Sequence, residues 1–130
     1  VHPRTRKRMA DLGLAVRDPD RFQLLEPIGY LEFLALQRRA RVVITDSGGI
    51  QEETTYLGVP CLTLRENTER PVTVELGTNE LIGRDMDSLC DCVEKILAGQ
   101  WKKGRVPPLW DGHASERIAK VLLGWKTTQA

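Results

Sequence analysis

Val42-Val43-Ile44 is an apolar run that leads without interruption into Thr45-Asp46-Ser47-Gly48-Gly49, and a helical pattern ending at Leu57-Gly58 follows. The run shows no polar alternation, as expected for a strand covered on both faces. A strand that empties through small residues into a helix therefore points to an α/β architecture. Ser47, Gly48 and Gly49 carry little bulk, so an anion can approach their backbone N–H groups closely. The first N–H groups of the helix lack intrahelical partners and point at the same spot. Glu53 stands about one helical turn further on, within reach of sugar hydroxyls. These are the parts of a nucleotide-diphosphate site. An ordinary strand–turn–helix corner capped by Ser47 would carry the same pattern.

The rest of the chain repeats the alternation. Pro3 opens a basic helix through Arg4, Arg6, Lys7 and Arg8, stopped near Gly13, which is either a solvated face or a phosphate-facing one. Phe22 to Leu25 follows Asp18-Pro19-Asp20 and reads as a buried strand. Tyr30 to Arg39 reads as a helix with Leu31, Leu34 and Ala35 on one face and two arginines at its C-terminal end. Val42 to Thr45 is the second strand, Ile50 to Leu57 a helix closed by Gly58, and Cys61 to Leu64 the third strand. A short helix from Pro71 to Leu76 and a weak strand from Asn79 to Ile82 come next. Asp85 to Leu97 is amphipathic, with Met86, Leu89, Val93, Ile96 and Leu97 at helical spacing. A last helix from about Ala114 to Leu123 is expected to bury Ile118, Val121 and Leu122. Four strands joined by crossover-length connections make a parallel sheet flanked by helices. The G-x-G-x-x-G fingerprint is absent, which argues against an NAD-dependent dehydrogenase.

Arg65-Glu66-Asn67-Thr68-Glu69-Arg70-Pro71 is the most charged loop and leaves the end of the third strand. In a parallel sheet that end lies on the edge of the glycine turn, where ligands of open α/β sheets bind. Its two arginines could neutralise phosphate charge, or pair with the loop's own glutamates.

Composition narrows the partners. The chain has 130 residues, enough for one domain with a core, and a formal net charge of +1, which argues against nucleic acid or another polyanion. No stretch is apolar enough to span a membrane and no signal peptide opens the chain, so a cytoplasmic location is expected. Cys61, Cys90 and Cys92 lack metal-ligand spacing, so they are expected to be free thiols, and no metal or cofactor is expected.

Three segments carry a family resemblance: Thr45-Asp46-Ser47-Gly48-Gly49-Ile50-Gln51-Glu52-Glu53, Leu57-Gly58-Val59-Pro60 and Thr68-Glu69-Arg70-Pro71. Weaker echoes are His2-Pro3, Tyr30-Leu31-Glu32-Phe33 and Asp111-Gly112-His113-Ala114-Ser115. With these the chain resembles the C-terminal, nucleotide-binding domain of the non-hydrolysing UDP-N-acetylglucosamine 2-epimerases. The resemblance implies a Rossmann-like domain, one half of a two-domain glycosyltransferase-B-like architecture. It implies that Ser47, Gly48 and Gly49 bind the diphosphate of UDP-N-acetylglucosamine or UDP, and Glu53 the ribose. Arg70 would contact the nucleotide sugar near its phosphates, and the backbone around Phe33 would read the uracil. Ile28 stands where the family usually has glutamine, and Val72 where it commonly has glutamate.

The family's reaction inverts the second carbon of the sugar by eliminating UDP and adding it back from the other face. Its proton-transferring carboxylates lie in an N-terminal domain outside this sequence, so no catalytic residue is expected here and the isolated chain is expected to be inactive. The chain is also expected to lack the first strand and helix of its own domain, and an open sheet edge of that kind favours a homodimer. Two other functions fit the pattern: the donor-binding half of a nucleotide-sugar glycosyltransferase, and a non-catalytic nucleotide-binding or interaction fragment.

Overall fold

Three short parallel strands, β1 (Val43–Thr45), β2 (Cys61–Thr63) and β3 (Asn79–Leu81), form the sheet of the computed structural model, which describes residues 1–127. Their order is β1-β2-β3, and the register aligns Thr45 with Thr63 and Thr63 with Leu81. The strands thus stop level, and the loops that follow them leave from one edge. Six helices accompany the sheet among the described residues: α1 (Pro3–Asp11), α2 (Tyr30–Arg39), α3 (Gly48–Leu57), α4 (Pro71–Glu75), α5 (Met86–Leu97) and α6 (Ala114–Thr127). The chain divides into two units, Val1–Leu36 and Gln37–Ala130, and the division falls inside α2.

In the second unit the apolar core is small. Leu62 of β2, Ile82 and Ile96 are buried, with Val42, Leu89, Cys92, Val93 and Trp101 packed around them. Leu89, Cys92, Val93 and Ile96 recur at i, i+3, i+4 and i+7, so α5 meets the sheet along a narrow stripe. Met86 and Leu97, expected on that stripe, are each 52% exposed at the ends of the helix. Asp85 starts α5 by accepting a hydrogen bond from the Ser88 N–H at 3.0 Å. Gly58 ends α3 in the left-handed conformation, φ 70°, as its place after Leu57 predicts.

The buried face of α3 is polar. Gln51, Thr54 and Thr55, again at i, i+3 and i+4, are 0%, 0% and 2% exposed. Thr63, Thr73 and Asn79 are fully buried as well, and Asn79 Nδ2 donates to Gln51 Oε1 at 3.2 Å.

In the first unit, Pro3 occupies the first turn of α1 and the His2 ring Nδ1 accepts from the Arg4 N–H at 3.2 Å. An Arg6–Glu26 ion pair at 2.7 Å lies within the same unit.

Three expectations need correction. Phe22 to Leu25 is not a strand: a turn draws the Phe22 N–H to the Asp18 carbonyl at 2.9 Å, and Phe22, Leu24 and Leu25 are 57%, 38% and 45% exposed. Without a ladder partner an apolar run has no reason to extend, and the sheet has three strands rather than four. The final helix continues to Thr127, and Ile118, Val121 and Leu122 lie exposed along it. Helical spacing identified an apolar stripe there but not a surface to cover it. Lastly, α3 begins at Gly48 rather than Ile50, so both glycines belong to its first turn.

Candidate functional site

Where β1 ends, the Thr45 hydroxyl accepts the Ser47 N–H at 3.0 Å and turns the chain into α3. Ser47 occupies the N-cap position with an extended backbone, yet its hydroxyl makes no capping bond. The first N–H groups of α3 therefore keep their positive end without a side-chain acceptor. A Cβ built on Gly49 would meet nothing within 4 Å, so the turn is open there. On Gly48 the Cβ would lie 3.3 Å from both Cζ and Nη1 of Arg70. The guanidinium thus lies directly against the opening of the helix.

Arg70 reaches this place from the loop after β2, and both its peptide groups are held. Its N–H donates to the Thr68 hydroxyl at 3.0 Å, and its carbonyl accepts from the Thr73 hydroxyl at 2.7 Å. The side chain is 36% exposed; its Nε lies 3.1 Å from Glu52 Oε2 and its Nη1 3.7 Å from Glu69 Oε2. The Nε contact is an ion pair that lacks hydrogen-bond alignment. A cation at a helix N-terminus opposes the helix dipole. Two glutamates offset that at half-exposed positions, where such pairs contribute little. An anion bound between the amides and the guanidinium would satisfy both. The neighbouring arginine behaves differently: Arg65 pairs with Glu69 at 3.1 Å and lines a shallow pocket with Glu66, Asn67, Gly83 and Arg84. Of the two loop arginines, the one at the glycine turn is Arg70.

One turn into α3, Glu53 is partly buried and its Oε2 accepts from Gln37 Nε2 at 2.6 Å. That bond fixes one carboxylate oxygen and leaves the other without a partner among the described residues. Ser47, Gly48, Gly49, Glu53 and Arg70 are therefore gathered around the first turns of α3. Phe33 belongs to the first unit, on α2, with 38% of its surface exposed and its N–H donating to the Gly29 carbonyl at 3.0 Å.

Beneath the turn lies a chain of polar side chains that the sequence pattern did not single out. The Thr63 hydroxyl donates to Asn79 Oδ1 at 2.6 Å, and Asn79 Nδ2 donates to Thr73 Oγ1 at 3.0 Å and Gln51 Oε1 at 3.2 Å. Thr68 donates to the same Gln51 oxygen at 2.6 Å. Among the described residues Gln51 Nε2 is buried without a partner. The sequence did hold a sign of this: Gln51, Thr54 and Thr55 have the spacing of a buried helix face, but in polar residues.

Among the described residues no cluster of histidine, cysteine, aspartate and glutamate could hold a metal ion. Burial pushes the Cys61 thiol up, against smaller opposing contributions from the Thr54 and Thr63 hydroxyls. No helix among the described residues is long and apolar enough to cross a membrane.

Comparison with known proteins finds relatives by sequence and by structure. A family model described as UDP-N-acetylglucosamine 2-epimerase matches residues 1–123. A curated UDP-N-acetylglucosamine 2-epimerase of Methanococcus maripaludis is 43% identical over 130 residues, covering 97% of this chain and 34% of its own length. The crystal structure of the Methanocaldococcus jannaschii UDP-GlcNAc 2-epimerase in complex with UDP-GlcNAc and UDP superposes with a TM-score of 0.77. It is 44% identical, over 94% of this chain and 34% of that one. The Neisseria meningitidis UDP-GlcNAc 2-epimerase bound to UDP-GlcNAc gives a TM-score of 0.66 at 32% identity, over 95% and 34% of the two chains. The chain thus spans about a third of the length of the curated relatives it matches. A match that runs from the first residue into the last helix, with the parallel sheet superposed on solved members, places the chain by sequence and by fold together: it belongs to the UDP-N-acetylglucosamine 2-epimerase family.

Proposed function

We propose that this chain supplies the UDP grip of an enzyme that interconverts UDP-N-acetylglucosamine and UDP-N-acetylmannosamine by eliminating UDP and adding it back. The observation that carries this reading is the open first turn of α3 with the Arg70 guanidinium against it. Elimination develops negative charge on the departing diphosphate, and donors already aimed at that position lower the barrier. The Gly48 and Gly49 amides, the Ser47 hydroxyl and Arg70 are such donors. Glu53, held by Gln37, accepts hydrogen bonds from the ribose through its free oxygen. Three free thiols suit a reducing cytoplasm.

Calorimetric titration of the chain with UDP tests the grip. Saturable binding that Arg70→Ala weakens is expected, and a folded chain that gives no heat overturns the reading. Incubation with UDP-N-acetylglucosamine alone is expected to yield no epimer.

A homodimer is part of the same proposal. β1 is an edge of the three-strand sheet, and its Ile44 is 45% exposed. An unpaired parallel edge with apolar side chains is a template for a second strand. Light scattering is expected to show a dimer; a monomer across the concentration range counts against it.

A further inference from the structure

The polar residues under the loop make an expensive core. Gln51, Thr63, Thr73 and Asn79 are all fully buried, where apolar side chains of similar volume would pack without any demand for partners. Among the described residues Gln51 Nε2 has no acceptor, and a network partly satisfied by protein atoms stabilises less than an apolar core. Stability alone does not account for it. Its geometry has one outlet. Each threonine hydroxyl uses its single proton once: Thr63 on Asn79, Thr68 on Gln51 and Thr73 on the Arg70 carbonyl. The two hydroxyls at the outer end, Thr68 and Thr73, hold the N–H and the C=O of the same residue, Arg70. Both are tied back to the interior, Thr68 through Gln51 Oε1 and Thr73 through Asn79 Nδ2. Asn79 lies on β3 and Gln51 on α3, so the sheet and the helix that bears the anion site fix the same arginine.

We propose that Gln51, Thr68 and Asn79 are positioning residues, a buried relay that clamps the Arg70 backbone so that its guanidinium faces the first turn of α3. This inference rests on the proposed UDP grip for its functional consequence, but not for the clamp itself.

The test is a double-mutant cycle in the full chain, using UDP as probe, with hydrogen exchange of the ligand-free protein as an independent measurement. Thr68→Val keeps the shape and removes the hydroxyl that links Arg70 to Gln51. In the Arg70 background it is expected to weaken UDP binding by about tenfold, the loss of a hydrogen bond acting through a charged group. In an Arg70→Ala background it should change binding less than about twofold, because the residue it positions is gone. Thr68→Ser restores the hydroxyl and should restore affinity. A merely structural role predicts equal losses in both backgrounds, and that result overturns the proposal. In the ligand-free chain Thr68→Val should strip exchange protection from the Arg70 amide while the Leu62 amide keeps its own. If UDP gives no heat with any variant, the grip has failed, and the exchange data decide the clamp alone. Unchanged protection at Arg70 refutes it.

Discussion

The guanidinium of Arg70 lies against the backbone of Gly48, 3.3 Å from where a Cβ would stand, while the same construction on its neighbour Gly49 meets open space. Two adjacent glycines of one turn thus have different surroundings. Gly48 makes room for a side chain of the protein. At Gly49 the turn is open, and under the proposed function that space receives the diphosphate.

The two alanine variants separate these roles. Gly49→Ala should fold as the parent does, since nothing lies within 4 Å of the new methyl. It should nonetheless weaken UDP binding by about tenfold, or ~1.4 kcal/mol, by crowding the phosphate. Gly48→Ala should weaken binding by displacing Arg70 and should add little to Arg70→Ala. Calorimetry on the parent, the three single variants and the Gly48→Ala/Arg70→Ala double variant checks this, and unaltered binding in Gly49→Ala removes the diphosphate from this turn.

Arg70→Lys should not restore what Arg70→Ala loses. The ammonium cannot reproduce the planar fork that faces both Glu52 and the turn, and the expected loss is about 1.5–3 kcal/mol of binding free energy. Titration with UDP at two salt concentrations measures it.

Glu53 supports its neighbour as well as the proposed ribose contact. Gln37 is 3% exposed and donates to Glu53 at 2.6 Å. Glu53→Ala leaves that buried amide without an acceptor, a cost of about 1–3 kcal/mol in unfolding free energy. Glu53→Gln keeps an acceptor, so urea unfolding should find it within about 0.5 kcal/mol of the parent, with weakened UDP binding. Equal destabilisation of the two variants would show that the charge, not the acceptor, holds Gln37.

Gly77→Ala should be among the most destabilising small substitutions in the chain. The methyl would stand 2.4 Å from both Thr55 Oγ1 and the Thr73 carbonyl, with backbone on one side. Overpacking of this kind costs about 3 kcal/mol. Denaturant unfolding with unchanged slope is the measurement, and a loss under about 0.5 kcal/mol contradicts it.

The start of α6 should be acid-sensitive in a defined window. Arg117 donates to both Asp111 oxygens, at 2.9 and 3.0 Å, and the His113 N–H donates at 3.0 Å. The Arg117 bonds first, then the His113 amide, hold the Asp111 carboxyl down from 3.8 to about 2. A depressed acid contributes above its unfolded value and loses that contribution as pH falls through its folded value. Order at the start of α6 should therefore persist at pH 4 and fade toward about pH 2, with Asp111→Asn showing no such titration. Carbon-detected NMR of the Asp111 carboxyl, with helicity followed alongside, tests both.

The residues from Thr45 to Glu53, followed by Thr68 to Pro71, were enough to identify the family and to name Ser47, Gly48, Gly49, Glu53 and Arg70. Small residues before a helix and a charged loop after a strand state their chemistry locally, and the parallel register then brings them to one edge. Most helix boundaries were equally legible, because prolines, glycines and apolar spacing act within one or two turns. Tertiary structure alone decided what each face would meet. Ile118, Val121 and Leu122 have the spacing of a buried stripe and lie exposed, and Phe22 to Leu25 has the composition of a strand with nothing to pair with. Conversely, the face of α3 that is buried is Gln51, Thr54 and Thr55, which a search for apolar periodicity passes over. Gln51 meets Asn79 from a distant position, and only folding shows that Asn79 and Thr73 lead from there to the Arg70 carbonyl. A sequence prescribes which residues can form hydrogen bonds; the packed chain determines which of them must.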